Sequence, residues 1–154
     1  MTPEASPDPV SVAMTVAQLL DRLGVAYLIG GSFASSLHGE PRSTNDVDVV
    51  ADLTSQEAPA LVAALRSDFY VSDAAVDEAV RTGTSFNVVH LRTAVKVDIF
   101  VAGADAFDRE RLSRRKAVLV PMAGATAKLF VDTAEDTVLR KLEWYRRGGE
   151  SRFF

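Results

Sequence analysis

Asp46 and Asp48 stand in the run Asp46-Val47-Asp48-Val49-Val50-Ala51. On an extended strand, residues two apart project to the same face, about 6.6 Å apart along the backbone. Two carboxylates held in this way can converge on one or two divalent cations. Their valine neighbours belong in a packed sheet, where an acidic face is costly unless a cation or solvent satisfies it. The pair needs context, because with 13 Asp in 154 residues an Asp-x-Asp arises about once by chance.

Gly30-Gly31-Ser32, fourteen residues upstream, supplies that context. An apolar run, a Gly-Gly turn and a helix start bring backbone N–H groups together without Cβ obstruction. The Ser32 hydroxyl adds a donor, and a helix N-terminus favours anions, so the turn can hold a triphosphate. Taken in isolation it could equally be an ordinary tight strand–helix connection. Neither a Gly-x-x-x-x-Gly-Lys-Ser/Thr loop nor a Gly-x-Gly-x-x-Gly pattern is present, which sets aside P-loop and dinucleotide-binding readings.

The third carboxylate is Asp98. In Val95-Lys96-Val97-Asp98-Ile99-Phe100, alternation puts Val95, Val97 and Ile99 on one face and Lys96, Asp98 and Phe100 on the other. If this strand lies beside the Asp46–Asp48 strand, three carboxylates meet, and like charges that close need a cation to stay ionised. Two metals could then activate an attacking hydroxyl and stabilise the leaving oxygen of a phosphoryl or nucleotidyl transfer. The plainer alternative is a satisfied acid on a strand.

The elements that must position these groups are legible from periodicity. Residues 1–9 hold three Pro and read as a disordered tail, with one domain over 10–154. Val12, Val16, Leu19, Leu20 and Leu23 recur at helical spacing before Gly24. A short strand over 25–29 and a short helix from Ser32 to Leu37 follow, then the strand 46–51. Helices are expected over 54–66 and 73–81, with Gly83 as a stop. Runs 85–91 and 94–101 around Arg92-Thr93 read as a hairpin. A polar helix over 105–115, strands at 117–120 and 129–131, and a helix opened by Thr133 and running to Arg147 complete the chain. The fold class is α/β (α+β), a mixed sheet flanked by helices.

Composition narrows the chemistry further. There is no cysteine, which excludes disulfides, thiol nucleophiles and Cys-type zinc sites. Only His38 and His90 offer imidazole; His38 reads as a helix-end residue and His90 as structural. No apolar run approaches the roughly 20 residues needed to span a bilayer, and the start lacks signal-peptide features, so a cytoplasmic protein with no membrane partner is expected. The net charge of −4 divides unevenly: residues 1–90 carry 4 basic and 12 acidic residues, residues 91–154 carry 13 and 9. Arg109, Arg111, Arg114, Arg115 and Lys116 form a basic run that reads either as an RNA-backbone contact or as an exposed charged helix. Trp144 and Tyr145 read as packing residues of the last helix, and Phe153 and Phe154 as apolar residues for which the sequence offers no role.

Taken together, Gly30-Gly31-Ser32-x5-His38-Gly39-x2-Arg42-x-Thr44-x-Asp46-Val47-Asp48-Val49-Val50 resembles the signature of the DNA polymerase β-type nucleotidyltransferase superfamily. The likeness is nearest to the AbiEii-like toxins and related small bacterial nucleotidyltransferases. Asp98 falls where the family places its third acid, and Lys141 matches a lysine that the family's following helix presents to the nucleotide. The resemblance spans roughly residues 12–150 and implies the nucleotidyltransferase fold. It implies Mg²⁺ (or Mn²⁺) at Asp46 and Asp48, with Asp98 as third ligand or general base, and an NTP whose phosphates rest on Gly30, Gly31 and Ser32. Arg42 and Thr44 are candidates to touch phosphate or sugar. An acceptor hydroxyl, on tRNA or other RNA or on a protein, would attack the α-phosphate and release pyrophosphate. An antitoxin partner would accompany a toxin-like role. Two other functions fit the same residues: an antibiotic nucleotidyltransferase for aminoglycosides or lincosamides, and an inactive nucleotide-binding or interaction module.

Overall fold

Alternation of valine with polar residues builds the centre of the molecule. The computed structural model describes residues 9–30, 46–103, 106–122 and 124–146. Within them a seven-stranded mixed sheet has the order β3-β4-β5-β2-β1-β7-β6. The strands are β1 (Tyr27–Ile29), β2 (Asp46–Ala51), β3 (Phe69–Tyr70), β4 (Ser85–His90), β5 (Lys96–Val101), β6 (Lys116–Met122) and β7 (Ala125–Val131). The β2/β5 and β1/β7 pairs are parallel and the others antiparallel. Five helices lie among the described residues: α1 (Pro9–Arg22), α2 (Ala58–Leu65), α3 (Asp73–Thr82), α4 (Ala106–Arg114) and α5 (Ala134–Arg146). None is long and apolar enough to cross a membrane.

The two faces of the sheet differ. Val47, Val49, Val97 and Ile99 point to one side, where they pack with Val16 and Leu20 of α1, Leu61 and Leu65 of α2 and Val76 of α3 in the main core. Leu28, Val50 and Phe100 point to the other side, against Ala102 and Leu112 of α4, in a smaller cluster. Local signals terminate the elements as the sequence suggests. The Ser72 hydroxyl caps α3 by accepting from the Ala75 N–H, and Gly83 ends that helix at φ 67°, a left-handed conformation that suits glycine. The Thr133 hydroxyl accepts from the Asp136 N–H and caps α5.

The expected elements are present with shifted ends. Residues 25–26 precede β1, and α2 begins at Ala58 rather than Thr54. The strands at 117–120 and 129–131 are the middle and end of a longer hairpin, β6–β7, paired from Lys116↔Val131 to Met122↔Ala125. The two-residue β3, which pairs with the end of β4, had no sequence signal. The tail 1–8 and the helix expected after Ser32 lie outside the described residues.

The basic run is mixed: Arg109, Arg114 and Lys116 are exposed, as a charged helix face would be, while Arg111 is buried and Arg109, Arg111 and Arg114 have ion-pair partners. Arg111 is 3% exposed, and its Nε and Nη2 reach the two carboxylate oxygens of Asp132 at 3.3 and 2.7 Å while Nη1 reaches Asp108 at 3.1 Å. Burial works against its charge, but Asp132 and Asp108 outweigh that and hold the guanidinium above its ordinary range. Arg114 grips the buried Asp136 by two hydrogen bonds of 2.9 and 2.7 Å. Arg109 donates to the Gly103 carbonyl at 3.0 Å and lies 3.4 Å from Asp52. Arg115 lies over the Phe130 ring. Asp108 is a local partner of Arg111, but Asp132 and Asp136 stand 21 and 22 residues downstream of Arg111 and Arg114, and Asp52 stands 57 upstream of Arg109, where no local pattern announces them. These ion pairs fix α4 to the start of α5 and so to the second face of the sheet.

Candidate active site

Polar and apolar residues switch over in register on β2 and β5. The parallel pairing sets Asp46 opposite Lys96, Asp48 opposite Asp98 and Val50 opposite Phe100. The apolar rung lies in the smaller cluster with Leu112 of α4, and the two polar rungs continue beyond it on the same face. This is why Val50 is buried while Asp46 and Asp48 are exposed, although all three share one face of one strand. The sequence expectation that the Asp98 strand lies beside the Asp46–Asp48 strand therefore holds.

The middle rung extends across four strands. The Gly30 N–H donates to the Asp48 carbonyl at 2.7 Å on the β1 side. Asp98 pairs with Asn87 on the β4 side. Gly30, Asp48, Asp98 and Asn87 thus form one row, with neighbouring backbones about 4.8 Å apart. Asn87 was not singled out from sequence, though the alternation of exposed Ser85 and Asn87 with buried Phe86 and Val88 carried the signal.

Carboxylates this close raise proton affinity: the charge of Asp98 acts on Asp48, and that of Asp46 acts on both. Asp48 keeps one side open to solvent, but protein packed around it desolvates the carboxyl. That desolvation, joined by the charge of Asp98, pushes its pKa up, against a smaller opposing pull from Arg140. Asp98 is also pushed up, by desolvation first, while Lys96 at 3.8 Å pulls the other way. Among the described residues, no three acidic or histidine side chains are drawn into a ready metal-binding group. What fits a cation here is the chemistry of the face: hard oxygen donors on neighbouring rungs, with a mutual repulsion that bound positive charge would relieve.

Gly30 matters through its missing side chain. A Cβ built there would lie 3.1 Å from the Asp48 Cβ and 3.4 Å from the Asp48 carbonyl oxygen. Gly30→Ala should therefore push the β2 rung that carries Asp48, costing about 1–2 kcal/mol of stability. The same displacement, a few tenths of an ångström, should lower any activity of the Asp48 carboxylate about tenfold, less than the roughly hundredfold that a full ångström costs at a reacting group. Thermal melting and turnover measured together check this; a variant with wild-type values for both would mean that the rung absorbs the methyl without moving Asp48.

The helix α5 brings a cation over the site, and it is Arg140 whose field reaches Asp48. Its guanidinium lies 5.3 Å from the Phe100 ring centroid and 3.5 Å from Asp108. Lys141, the lysine expected from sequence, follows one residue on and is half-buried. A helix turns about 100° per residue, so the two cannot present the same direction, and a residue-by-residue match along a helix cannot distinguish them. Gly31, Ser32, His38, Arg42 and Thr44 lie outside the described residues. His90 is buried, 2.8 Å from the Thr93 hydroxyl through Nδ1 and edge-on to Phe69, which agrees with a structural role. Tyr145, expected to pack the last helix, is 58% exposed. An apolar groove between α2 and α3, lined by Ala58, Val62, Val76 and Val80, belongs to the other side of the sheet and holds none of these groups.

The fold is shared with a known structure. No protein-family model matches the chain, and no curated protein sequence matches it. A Thermotoga maritima protein, TM1012, provisionally assigned as a nucleotidyltransferase, superposes with a TM-score of 0.52 at 14% identity, over 90% of this chain and 86% of that one. The lincosamide antibiotic adenylyltransferase LnuA, with lincomycin bound, gives a TM-score of 0.48 at 14% identity, over 82% of this chain and 81% of that one.

Proposed function

We propose that the Asp46–Asp48–Asp98 face is the active site of a nucleotidyltransferase that moves a nucleoside monophosphate from an NTP to an acceptor hydroxyl. The observation that carries this reading is the pairing of Asp48 with Asp98 on adjacent parallel strands, beside a glycine that keeps the approach to Asp48 clear. The fold shared with TM1012 agrees with it.

Asp46, Asp48 and Asp98 would hold Mg²⁺ (or Mn²⁺), which when bound supplies the positive charge that a triphosphate and three carboxylates lack. Asp98, on the neighbouring strand, would serve as third ligand or as the general base that accepts the proton of the attacking hydroxyl. The new bond joins the acceptor oxygen to the α-phosphorus; the bond from that phosphorus to the α–β bridging oxygen breaks, and pyrophosphate leaves. Gly31 and Ser32 would receive the phosphates on backbone N–H groups, with Gly30, whose own N–H is held by the Asp48 carbonyl, leaving room for them through its missing side chain; Arg42 and Thr44 would lie at phosphate or sugar and Lys141 at the nucleotide.

For the acceptor, an RNA end such as tRNA or a protein hydroxyl remains the toxin-like form of the proposal, with an antitoxin as partner. One observation favours a second form. Arg109, Arg111 and Arg114 are paired with Asp52, Asp108, Asp132 and Asp136, which reduces the positive charge that the run could offer a polyanion. A small cationic acceptor of the aminoglycoside or lincosamide kind suits the remaining acidic face. The test is transfer of label from each α-³²P-NTP, with Mg²⁺, into RNA, protein and an aminoglycoside and lincosamide panel, beside Asp46→Ala. Label that depends on Asp46 establishes the reaction and names the acceptor class. Nucleotide binding without label in any fraction would replace the enzyme reading by a nucleotide-binding module.

A further inference from the structure

The outward side of α5 has the wrong chemistry for water. Val138, Leu139, Leu142 and Tyr145 are 55%, 50%, 58% and 58% exposed. At 100° per residue they fall on one side of the helix, opposite the side that carries Asp136 to Arg114 and Arg140 to Phe100. Exposed Glu135 and Arg146 lie on the same outward stripe, one at each end. Among the described residues, neither has an ion-pair partner within the chain.

This pattern is its own complement under a two-fold rotation. An antiparallel copy of the helix, related by an axis between residues 140 and 141, sets Leu139 against the partner's Leu142 and Glu135 against the partner's Arg146. Each contact then occurs twice, as an isologous interface requires. A parallel copy would instead set Glu135 on Glu135 and Arg146 on Arg146. We infer that α5 is the interface of a homodimer in which two copies pair antiparallel through this stripe. The occupant is a second copy of this chain because the charges at the two ends of the stripe complement each other only in that arrangement.

The size of the contact sets its strength. A 13-residue helix is about 20 Å long, so the pair buries under roughly 1,200 Å² and belongs with weak, reversible interfaces. A dissociation constant of roughly 1–100 μM is expected. Sedimentation equilibrium of the full chain should then show a monomer–dimer equilibrium across that range, and Leu142→Asp should leave only monomer. Glu135→Arg and Arg146→Glu should each weaken the dimer by about tenfold, and the combined swap should restore it to within about threefold of wild type. All three positions are exposed, so unchanged melting confirms that each variant folds. Monomer throughout that range would overturn the inference, as would a dimer indifferent to Leu142→Asp. A dimer that both single reversals weaken but the combined swap does not restore would overturn the antiparallel pairing. These readouts do not depend on the chemistry at Asp48.

Discussion

Asp48→Asn is expected to lower nucleotidyl transfer by about a thousandfold while making the folded protein more stable at neutral pH. The loss follows from removing a charged oxygen donor at the centre of the row, where several kcal/mol of transition-state stabilisation are at stake. The gain follows from the raised proton affinity of Asp48. Its carboxyl ionises at a higher pH when folded than when unfolded, because desolvation and the facing Asp98 oppose its charge. Below the ordinary carboxylate range both states are protonated and the residue is neutral in the balance. As pH rises, the unfolded chain ionises first, and folding loses stability until the folded carboxyl also ionises; above that the deficit is constant. Asparagine abolishes the deficit. Since Asp48 keeps one side in solvent, screening limits the gain to about 1 kcal/mol, or roughly 2–4 °C in melting temperature for a chain of this size. The comparison is made without divalent cation at pH 7 and again near pH 3, where the two proteins should converge. A variant less stable than wild type at pH 7 would show that Asp48 is a structural residue, and one that retains transfer would remove it from the reaction.

The distribution of sequence signal along the chain has physical causes. β5 is legible because burial alternates over all six of its residues, and β2 because alternation over Asp46–Val49 runs into the apolar Val50-Ala51; the acids on one face of both mark the site. Asn87 was passed over because an exposed Asn in a strand has no chemical distinction until register sets it opposite Asp98. β3 is two residues long and exists by pairing with β4, so no period could reveal it. The β6–β7 hairpin was read short because Lys116 at one end and Thr126 and Lys128 on the return strand lower its apolar content, while its pairing spans seven rungs. Lys141 is read from its match to a pattern, and the field of Arg140 at Asp48 carries no such signal, because the direction a helical residue faces depends on how the helix is docked. That docking is set by Arg111, Arg114 and acids distant in sequence. The candidate acids were therefore readable as a set, and their neighbours were not, because register and helix docking are long-range properties.

The docking itself yields the second large effect. Arg111→Met is expected to destabilise the protein by about 3–5 kcal/mol, lowering its melting temperature by roughly 10 °C. Methionine fills much of the volume, so the loss is not a cavity. It comes from Asp132, whose side chain is 1% exposed and would be left without the fork that satisfies both of its oxygens. Desolvated carboxylates without partners are expensive, whereas the intact pair contributes little beyond what well-packed apolar groups would supply. The combined change Arg111→Met with Asp132→Leu should therefore recover most of the stability. Function should not recover with it. Asp108 holds Arg111 at 3.1 Å and Arg140 at 3.5 Å, so it is the link between the buried pair and the cation above Phe100. With Arg111 replaced, Asp108 keeps Arg140 as its ion-pair partner among the described residues, and α4 is held to α5 by Arg114 and Asp136 without the buried fork beside them. The double variant should melt near wild type yet transfer nucleotide more slowly, with the loss in KM for NTP if Arg140 serves the triphosphate. Wild-type kinetics in a stably folded double variant would show that the ion network holds the fold alone and that Arg140 finds its place without it.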